Sequence, residues 1–253
     1  MFWESGEQSL GSELAAAPSV VHIWWWRPPE RSDPQDLALL DTDELRRALC
    51  MLAERDAAAF ARTHGGTRRV LGELLGVAPE SIVIGRHTCG GCGDDSHGRP
   101  RLVEPPAQLS ISLSRTEGHG LLVVSMDPSV GIDAEAIRPV REAALFDTVL
   151  TEHERAHLRA LPPGADRDAA FHRIWTRKEA VVKAVGVGLI GTDLARLETR
   201  PELPGPVMVR NPDPERPSLW LVQDLDLAPD LAAAVARPAG PALPVELRVH
   251  VGG

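Results

Sequence analysis

The sequence predicts an α+β fold built from two halves of similar size. Its predicted helices come in groups between strands rather than alternating with single strands, and this grouping favours an α+β fold over a doubly wound sheet. Each half of the 253 residues begins with a strand, continues into helices and returns to strands. A chain of this length can form one large domain or two of about 125 residues.

Composition is typical of a soluble globular protein. Hydrophobic residues make up 43% of the chain, and 36 acidic residues against 27 Lys and Arg give a formal net charge of −9. These values disfavour collagen, coiled coils and disordered chains. The negative charge argues against general nucleic-acid binding, which depends on clustered basic residues that neutralise phosphates. The three cysteines are too few for a disulfide framework and fit a reducing compartment.

The N-terminal residues lack the features of a targeting segment. Acidic residues stand where a secretory signal would carry basic ones, and no stretch reaches the roughly 18 apolar residues that a membrane span requires. We therefore expect a cytoplasmic protein without membrane contacts, in which residues 1–19 form a flexible N-terminus.

The first half, residues 20–126, is predicted to hold two helices between strands. Its first strand is the β-branched and aromatic run Val20–Trp26, which ends before two prolines. Over residues 41–75 apolar side chains recur at intervals of three and four, which indicates helices, and Gly65-Gly66 marks the predicted break between them.

Three short strands complete the first half. One starts at Ile82, and the other two, over residues 109–114 and 120–125, are separated by five residues with the composition of a hairpin turn. A loop rich in Gly, Cys and Asp, residues 85–100, precedes this hairpin. Residues 126–129 then interrupt the pattern, and we place the domain boundary there.

The second half, residues 127–253, is predicted to repeat this order. It begins with a strand over residues 130–135 and closes with strands around residues 207–209 and 219–222. Between them the periodicity predicts three helices, over residues 142–150, 151–161 and 168–185. The halves share no residue-level repeat, but their common order suggests a degenerate duplication.

Two carboxylates in the predicted strand 130–135 form the first candidate site. Asp133 and Glu135 alternate with apolar neighbours, and because side chains alternate along a strand, both carboxylates project from the same face. A solvated acidic face explains this pattern equally well. Two carboxylates on one rigid strand are also suited to Mg²⁺, which proteins hold by one or two carboxylates together with phosphate oxygens and water.

A second candidate site lies on the predicted helix 168–185. Trp175, Glu179 and Lys183 are spaced four residues apart, so they follow one another along one helical face. A surface ion pair between Glu179 and Lys183 is one interpretation. The other is a third carboxylate for a metal, followed one turn later by an ammonium group that binds phosphate as a point charge.

In this order the two segments resemble the signature motifs of the 4′-phosphopantetheinyl transferase family. They read Gly131-Ile132-Asp133-Ala134-Glu135 and Trp175-Thr176-Arg177-Lys178-Glu179-Ala180-Val181-Val182-Lys183. Two weaker matches are His97-Gly98-Arg99-Pro100 and Ile111-Ser112-Leu113-Ser114-Arg115-Thr116. The length is similar to that of the larger, surfactin-synthetase-activating type of secondary metabolism. That type is a monomer of two pseudo-equivalent halves with the active site in the cleft between them.

The resemblance implies an enzyme that uses coenzyme A as co-substrate. It would transfer the 4′-phosphopantetheine arm to a serine of an apo acyl or peptidyl carrier protein and release adenosine 3′,5′-bisphosphate. By the same resemblance, Asp133, Glu135 and Glu179 bind Mg²⁺, and Lys183 contacts the phosphates of coenzyme A.

The general base that takes the serine proton has two candidates. Glu179 is one, and Glu152 is the other, because Thr151-Glu152 resembles a Thr-Glu pair of the family. The same segment also fits a capping box at a helix N-terminus, formed by Thr151 and Glu154.

For the nucleotide of coenzyme A, the resemblance implies contacts from the first half. The matching positions are Arg62, Arg99, Ser114 and Arg115. Arg115 stands where family members often have His after Leu-Ser. An arginine keeps its positive charge and its donors, so phosphate binding is retained, whereas a role that requires a titrating imidazole is not.

The loop cysteines give a rival signal. Cys89 and Cys92 form a CxxC pair with His97 five residues later, but a structural zinc site has four ligands and the chain contains only one such pair. Reduced loop cysteines are the favoured interpretation, and bound zinc and a redox dithiol remain alternatives. The alternative functions are a Mg²⁺-dependent nucleotide or diphosphate hydrolase and a non-catalytic binding module built on this loop.

Overall fold

The structure is a computed structural model that describes residues 20–95, 97–140, 143–189, 191–213, 219–240 and 246–252, with no side chains described for residues 143–145. The predicted flexible N-terminus, residues 1–19, lies outside the described residues. Within the described residues, none of the helices combines the length and the apolar character that crossing a bilayer demands.

The described elements alternate groups of helices with groups of strands. In chain order they are β1 (Val20–Trp26), α1 (Pro34–Leu37), α2 (Thr42–Leu49), α3 (Glu54–Leu75), β2 (Val83–Arg86), β3 (Pro100–Glu104), β4 (Ser110–Thr116), β5 (His119–Ser125), β6 (Gly131–Ala136), α4 (Ala143–Val149), α5 (Glu152–Ala160), α6 (Ala165–Val185), β7 (Val207–Arg210), β8 (Leu219–Asp224), β9 (Leu231–Pro238) and β10 (Glu246–Gly252). This grouping confirms the predicted α+β class.

Two four-stranded sheets pack face to face in the centre of the protein. Their strand orders are β10-β1-β5-β4 and β6-β9-β8-β7. Apolar side chains of β1 and β5, such as Ile23 and Val123, pack in one buried cluster with Ile132 of β6 and Val235 of β9. The sheets therefore bury their inner faces against each other, as the alternation of apolar residues along these strands requires.

One long helix covers the outer face of each sheet. Leu71 of α3 packs on Trp26 and Leu122 of the first sheet. Val181 of α6 packs on Trp220 of the second sheet. The result is a helix, sheet, sheet, helix stack, in which α6 and the edge strands β4 and β6 lie close together.

The predicted break at Gly65-Gly66 is wrong. Helix α3 runs through both glycines, and the interruption lies before it, at residues 50–53. A Cβ atom at residue 65 would lie 3.0 Å from the carbonyl oxygen of Asp36, and one at residue 66 would lie 3.0 Å from the Trp26 ring. These glycines allow α1 and β1 to approach the helix closely, so they are packing residues.

Three strands have no counterpart in the sequence prediction: β3, β9 and β10. Strand β9 is rich in alanine, a residue with weak preference for strands, and it forms here because it lies buried between two neighbouring strands and helix α6.

The division of the chain into residues 20–126 and 127–253 stays a prediction. Strand β10 crosses it, because it pairs in parallel with β1.

Candidate active site

A cavity of about 1190 Å³ opens where the two sheets and helix α6 meet. Elements from both halves line it, including α2, β2, β4, β6, α6 and the segment after α6. The lining includes these predicted site residues: Arg99, Ser114, Arg115, Asp133, Glu135, Glu179 and Lys183.

Close packing of β6 on α6 places the three predicted metal ligands around one space. A Cβ atom at Gly131 would lie 2.0 Å from the carbonyl oxygen of Ala180, so only glycine lets the strand approach the helix this closely. Two and four residues further along the strand, Asp133 and Glu135 line the cavity with Glu179 of the helix. This is the arrangement that the spacing of two in a strand predicts.

Asp133 is the most deeply buried of the three carboxylates, with 4% of its surface exposed. Its Oδ1 accepts hydrogen bonds from Lys183 Nζ at 2.7 Å and from Ser114 Oγ at 3.0 Å. Two further oxygens are buried, Asp133 Oδ2 and Glu179 Oε1, and neither has a hydrogen-bond partner among the described residues. Buried carboxylate oxygens without donors are costly, so both oxygens are available to accept a ligand.

Burial and mutual repulsion disfavour full ionisation of the three carboxylates. Burial, followed by repulsion from Asp133, raises the pKa of Glu179 to about 7, and Lys183 offsets part of this effect. The same two causes in the same order raise the pKa of Glu135. A divalent cation would remove the repulsion and satisfy the free oxygens, so the donor set fits a hard metal ion such as Mg²⁺.

The raised pKa of Glu179 predicts an unusual pH dependence of stability in the presence of a chelator. Between the ordinary pKa of 4.5 and about 7, the folded protein binds more protons at this carboxyl than the unfolded chain does. The free energy of unfolding should therefore fall as the pH rises through this window. Urea unfolding followed by tryptophan fluorescence measures it, and Glu179→Gln should flatten the slope. An unchanged slope in that variant would contradict the prediction.

Hydroxyl groups of β4 bind the edge of β6. The backbone N–H groups of Ile132, Ala134 and Ala136 donate to the side chains of Ser112, Ser114 and Thr116, at 3.0 to 3.2 Å. These hydroxyls are spaced two apart and share one face of β4. The two sheets are therefore joined at this edge by side chains, next to Asp133.

Ser114 uses its hydroxyl to position the carboxylate. The hydroxyl donates to Asp133 and accepts from Ala134 N and, at 3.0 Å, from Lys183 Nζ. One donor and two acceptor positions are then occupied, which is the full capacity of a hydroxyl. The contact of this side chain with coenzyme A stays a prediction, and the bonds of its hydroxyl favour a positioning role for Asp133.

Arg99 lies where the first half meets the end of helix α6. Its Nη1 donates to the hydroxyl of Ser129 and, at 3.2 Å, to the carbonyl oxygen of Ala184. Its stem packs over Gly186, where a Cβ atom would lie 2.8 Å from the Arg99 side chain. The guanidinium is thus fixed at the cavity wall.

The structure does not bring Arg62 into the cavity. Its Nε pairs with Asp36 at 2.6 Å, and its Nη2 lies 3.6 Å from Asp33. Asp36 is fully buried, so it requires a cationic partner, and Arg69 supplies a second one at 2.6 Å. The nucleotide contact expected at Arg62 stays a prediction, and the ion pair with Asp36 does not favour it.

Glu152 is also outside the cavity. It is exposed in the first turn of helix α5. Thr151 caps this helix: its hydroxyl accepts from Glu154 N at 3.2 Å, and its backbone N–H donates to Glu154 at 2.9 Å. The capping-box interpretation is confirmed, and the position of Glu152 does not support a role as general base.

Two arginines that the sequence analysis did not select join Arg115 at the cavity. Arg47 and Arg115 place their guanidinium groups 5.3 and 5.1 Å from the centre of the Phe60 ring, on which both pack. Arg47 also lies near enough to Arg86 to lower its pKa, although burial is the larger cause. This basic group can bind an anion.

A buried ion pair fixes helix α6 behind the carboxylates. Lys178 is 0% exposed, and its Nζ lies 2.7 Å from Glu154 and donates to the carbonyl oxygens of Leu194 and Leu197. Glu154 also accepts two hydrogen bonds from Thr199. Lys178 directly precedes Glu179, so this pair determines how the helix presents that carboxylate to the cavity.

The comparisons with known proteins agree with this geometry. Residues 129–236 match the model of the 4′-phosphopantetheinyl transferase superfamily. The chain is 32% identical over 205 residues to the 4′-phosphopantetheinyl transferase HetI of Nostoc sp.. This match covers 74% of this chain and 82% of that protein. It is 27% identical over 172 residues to psf-1 of Bacillus pumilus, covering 68% of each protein. It is 23% identical over 204 residues to ffp of Bacillus subtilis, and the match covers 79% of this chain and 88% of that protein. Both Bacillus proteins are also named 4′-phosphopantetheinyl transferases.

Proposed function

The chain belongs to the 4′-phosphopantetheinyl transferase superfamily, and we propose that it transfers the 4′-phosphopantetheine arm of coenzyme A to a serine of an apo acyl or peptidyl carrier protein, in a Mg²⁺-dependent reaction. The serine oxygen forms a bond to the β-phosphorus, the bond from that phosphorus to the α-phosphate oxygen breaks, and adenosine 3′,5′-bisphosphate leaves. The carboxylate group at the centre of the cavity is the observation that carries this proposal.

Asp133, Glu135 and Glu179 are proposed to hold the Mg²⁺ ion. The partnerless buried oxygens of Asp133 and Glu179 and the repulsion among the carboxylates support this role. When bound, the ion would neutralise negative charge on the pyrophosphate of coenzyme A, which phosphoryl transfer requires.

Lys183 is proposed to contact the same pyrophosphate. Its ammonium group is bonded to Asp133, yet 29% of the side chain is exposed, so it can also reach a ligand in the cavity. As a compact point charge, it can follow the phosphate oxygens as they move along the reaction coordinate.

The basic group of Arg47, Arg86 and Arg115 is proposed to bind the nucleotide phosphates of coenzyme A, together with Arg99. All four line the cavity. Guanidinium groups provide several donors in a fixed plane, which suits phosphate oxygens.

Glu179 is proposed as the general base, acting directly or through water. Of the two candidates, it is the one whose carboxyl lies in the cavity.

The carrier protein is proposed to bind at helices α4 and α5, which follow Asp133 in the chain. Carrier proteins tend to be acidic around the modified serine, so the contact surface should be locally basic or apolar. We further propose a cytoplasmic monomer of the larger, two-half type that serves secondary metabolism and has no nucleic-acid or membrane partner.

Intact mass measurement tests the proposed reaction. The protein is incubated with coenzyme A, Mg²⁺ and a panel of apo carrier proteins, and a carrier should gain the mass of one phosphopantetheine group. Absence of a gain on every carrier would reject the proposal, and release of adenosine bisphosphate without a carrier would indicate the hydrolase. A mixture without Mg²⁺ and with a chelator is the matched control.

Variants of Arg115 test whether the positive charge at this position is what binds coenzyme A. Arg115→His should be tolerated, because a bound phosphate favours the charged imidazole, which keeps a positive charge and a donor at this position. Arg115→Ala should raise KM for coenzyme A by about 10- to 100-fold, because a hydrogen bond to a charged group contributes about 1.5–3 kcal/mol. Steady-state kinetics measure both. Arg31→Ala, which removes an exposed arginine outside the cavity, is the control. An unchanged KM in Arg115→Ala would contradict the assignment.

A further inference from the structure

A cluster of two thiols and one imidazole lies in the loop between β2 and β3, apart from the carboxylates. Cys89 Sγ, Cys92 Sγ and one ring nitrogen of His97 all lie within 4.8 Å of one another, and Cys92 Sγ is 3.1 Å from His97 Nε2. Zinc bonds of about 2.3 Å to sulfur and about 2.0 Å to nitrogen give ligand atoms about 3.5 Å apart in a tetrahedron. The three side chains are therefore close to the spacing that a bound zinc ion imposes.

The backbone around the cluster forms a tight turn that hydrogen bonds hold in place. Backbone N–H groups of Gly91 and Cys92 donate to Cys89 Sγ. Gly93 N donates to the Cys89 carbonyl oxygen at 2.9 Å, and Cys89 N donates to Asp94 O at 2.8 Å. Gly93 has a φ of +76°, a conformation that glycine adopts without strain. Such bonds to a ligating sulfur fix its orientation and stabilise the thiolate.

The ends of the loop are fixed independently of the cysteines. His87 N donates to Arg99 O at 2.8 Å, and Arg86 Nη1 donates to Gly98 O at 3.0 Å. The His97 ring is thereby brought back over the CxxC turn from the other arm of the loop. An ion bound by all three side chains would link the part of the loop that follows β2 to the part that precedes β3. A CxxC pair alone would not make this link.

We propose that Cys89, Cys92 and His97 bind one zinc ion, with water in the fourth position. Among the described residues, the cluster ends at these three side chains, so the remaining tetrahedral position is left to solvent. The ion holds the loop that carries Arg99 and His97 to the cavity wall. It also fixes the loop against the segment after α6, where a Cβ atom at Gly91 would lie 3.0 Å from Val187 O. The sequence analysis favoured reduced loop cysteines over zinc, and the proposal takes up the zinc alternative because the fold brings the His97 imidazole to the two thiols.

Cobalt substitution tests the site without reference to enzyme activity. The reduced, full-length protein is stripped with a chelator, saturated with Mg²⁺ to fill the carboxylate site, and titrated with Co²⁺. We expect one Co²⁺ per chain, with the intense near-ultraviolet charge-transfer bands that thiolate ligands produce and carboxylates do not. Zinc should displace the cobalt and abolish these bands.

Variants decide which residues bind the ion. Loss of a residue that only hydrogen-bonds to a metal ligand weakens metal binding by roughly 10- to 100-fold. Cys92→Ser and His97→Ala each remove a proposed ligand, so they should weaken zinc binding by more than this. Cys50→Ser, which removes the exposed cysteine at the end of α2, is the matched control and should bind zinc as the wild type does. Cys92 is exposed, so its replacement leaves the core intact.

Three outcomes would overturn the proposal. Absence of thiolate bands in the reduced wild-type protein is one, and equal zinc affinity of Cys92→Ser and the wild type is another. The third is a purified protein whose intact mass shows a Cys89–Cys92 disulfide and which takes up no metal after reduction.

Discussion

Glu179→Gln should abolish phosphopantetheinyl transfer and at the same time stabilise the protein in the presence of a chelator. The substitution removes a carboxylate that is proposed to hold Mg²⁺ at the pyrophosphate. Loss of a metal ion's stabilisation costs several kcal/mol in the transition state, which corresponds to about a thousandfold or more in rate. It also removes a charge that burial and Asp133 make unfavourable, so the free energy of unfolding should rise at pH 8.

Two measurements check this pair of effects. Transfer is followed by intact mass at saturating carrier and coenzyme A, and stability by urea unfolding with a chelator and with Mg²⁺. Mg²⁺ should stabilise the wild type and have a smaller effect on the variant. Glu152→Gln, at the exposed glutamate on α5, is the matched control and should transfer at the wild-type rate. Normal turnover of Glu179→Gln, or loss of activity in Glu152→Gln, would overturn the assignment.

Lys178→Met should cost about 3–5 kcal/mol of stability, because it leaves the carboxylate of Glu154 buried without its cation. Both side chains of this pair are 0% exposed. The double variant Lys178→Met/Glu154→Gln should recover part of the loss, since it removes the unpaired charge and the amide can still accept from Thr199. Lys178→Met should also lower kcat by displacing Glu179.

Urea unfolding of the two variants and the wild type measures this coupling. Arg159→Met, which replaces an exposed cation on α5, is the control and should change stability by less than about 0.5 kcal/mol. If Lys178→Met lost no more stability than this control, the buried pair would not anchor helix α6.

The arrangement of the carboxylates that are proposed to bind Mg²⁺ could be predicted because it depends on local periodicity. Asp133 and Glu135 share a face in any regular strand, and Glu179 and Lys183 share a face in any regular helix. The sequence cannot show that strand and helix lie together, since that depends on Gly131, whose missing Cβ makes room for Ala180. The family resemblance supplied this contact, and the structure gives its physical reason.

What the sequence could not supply are the contacts between distant residues. Arg62 carries the same charge as Arg115, but only the fold reveals that the buried Asp36 occupies it. Gly65-Gly66 has the composition of a break, yet the neighbouring Trp26 ring makes it a contact surface. Ser114 matches a substrate-binding motif, and its hydroxyl is taken up by Asp133 and two donors. In each case the residue type is visible in the sequence, but the partner that the side chain or backbone contacts is visible only in the fold.

The parallel pairing of β10 with β1 limits how the cleft can open. His250 of β10 stacks on the ring of Trp24 at 4.6 Å, and Gly252 packs where any Cβ atom would lie 2.1 Å from Trp26. The chain therefore leaves the first sheet at β5, forms the second sheet, and returns to complete the first. A hinge at residues 126–129 alone cannot separate the sheets, because a second connection crosses between them. A fragment that ends at residue 126 would lack β10 and leave the edge of β1 open to aggregation.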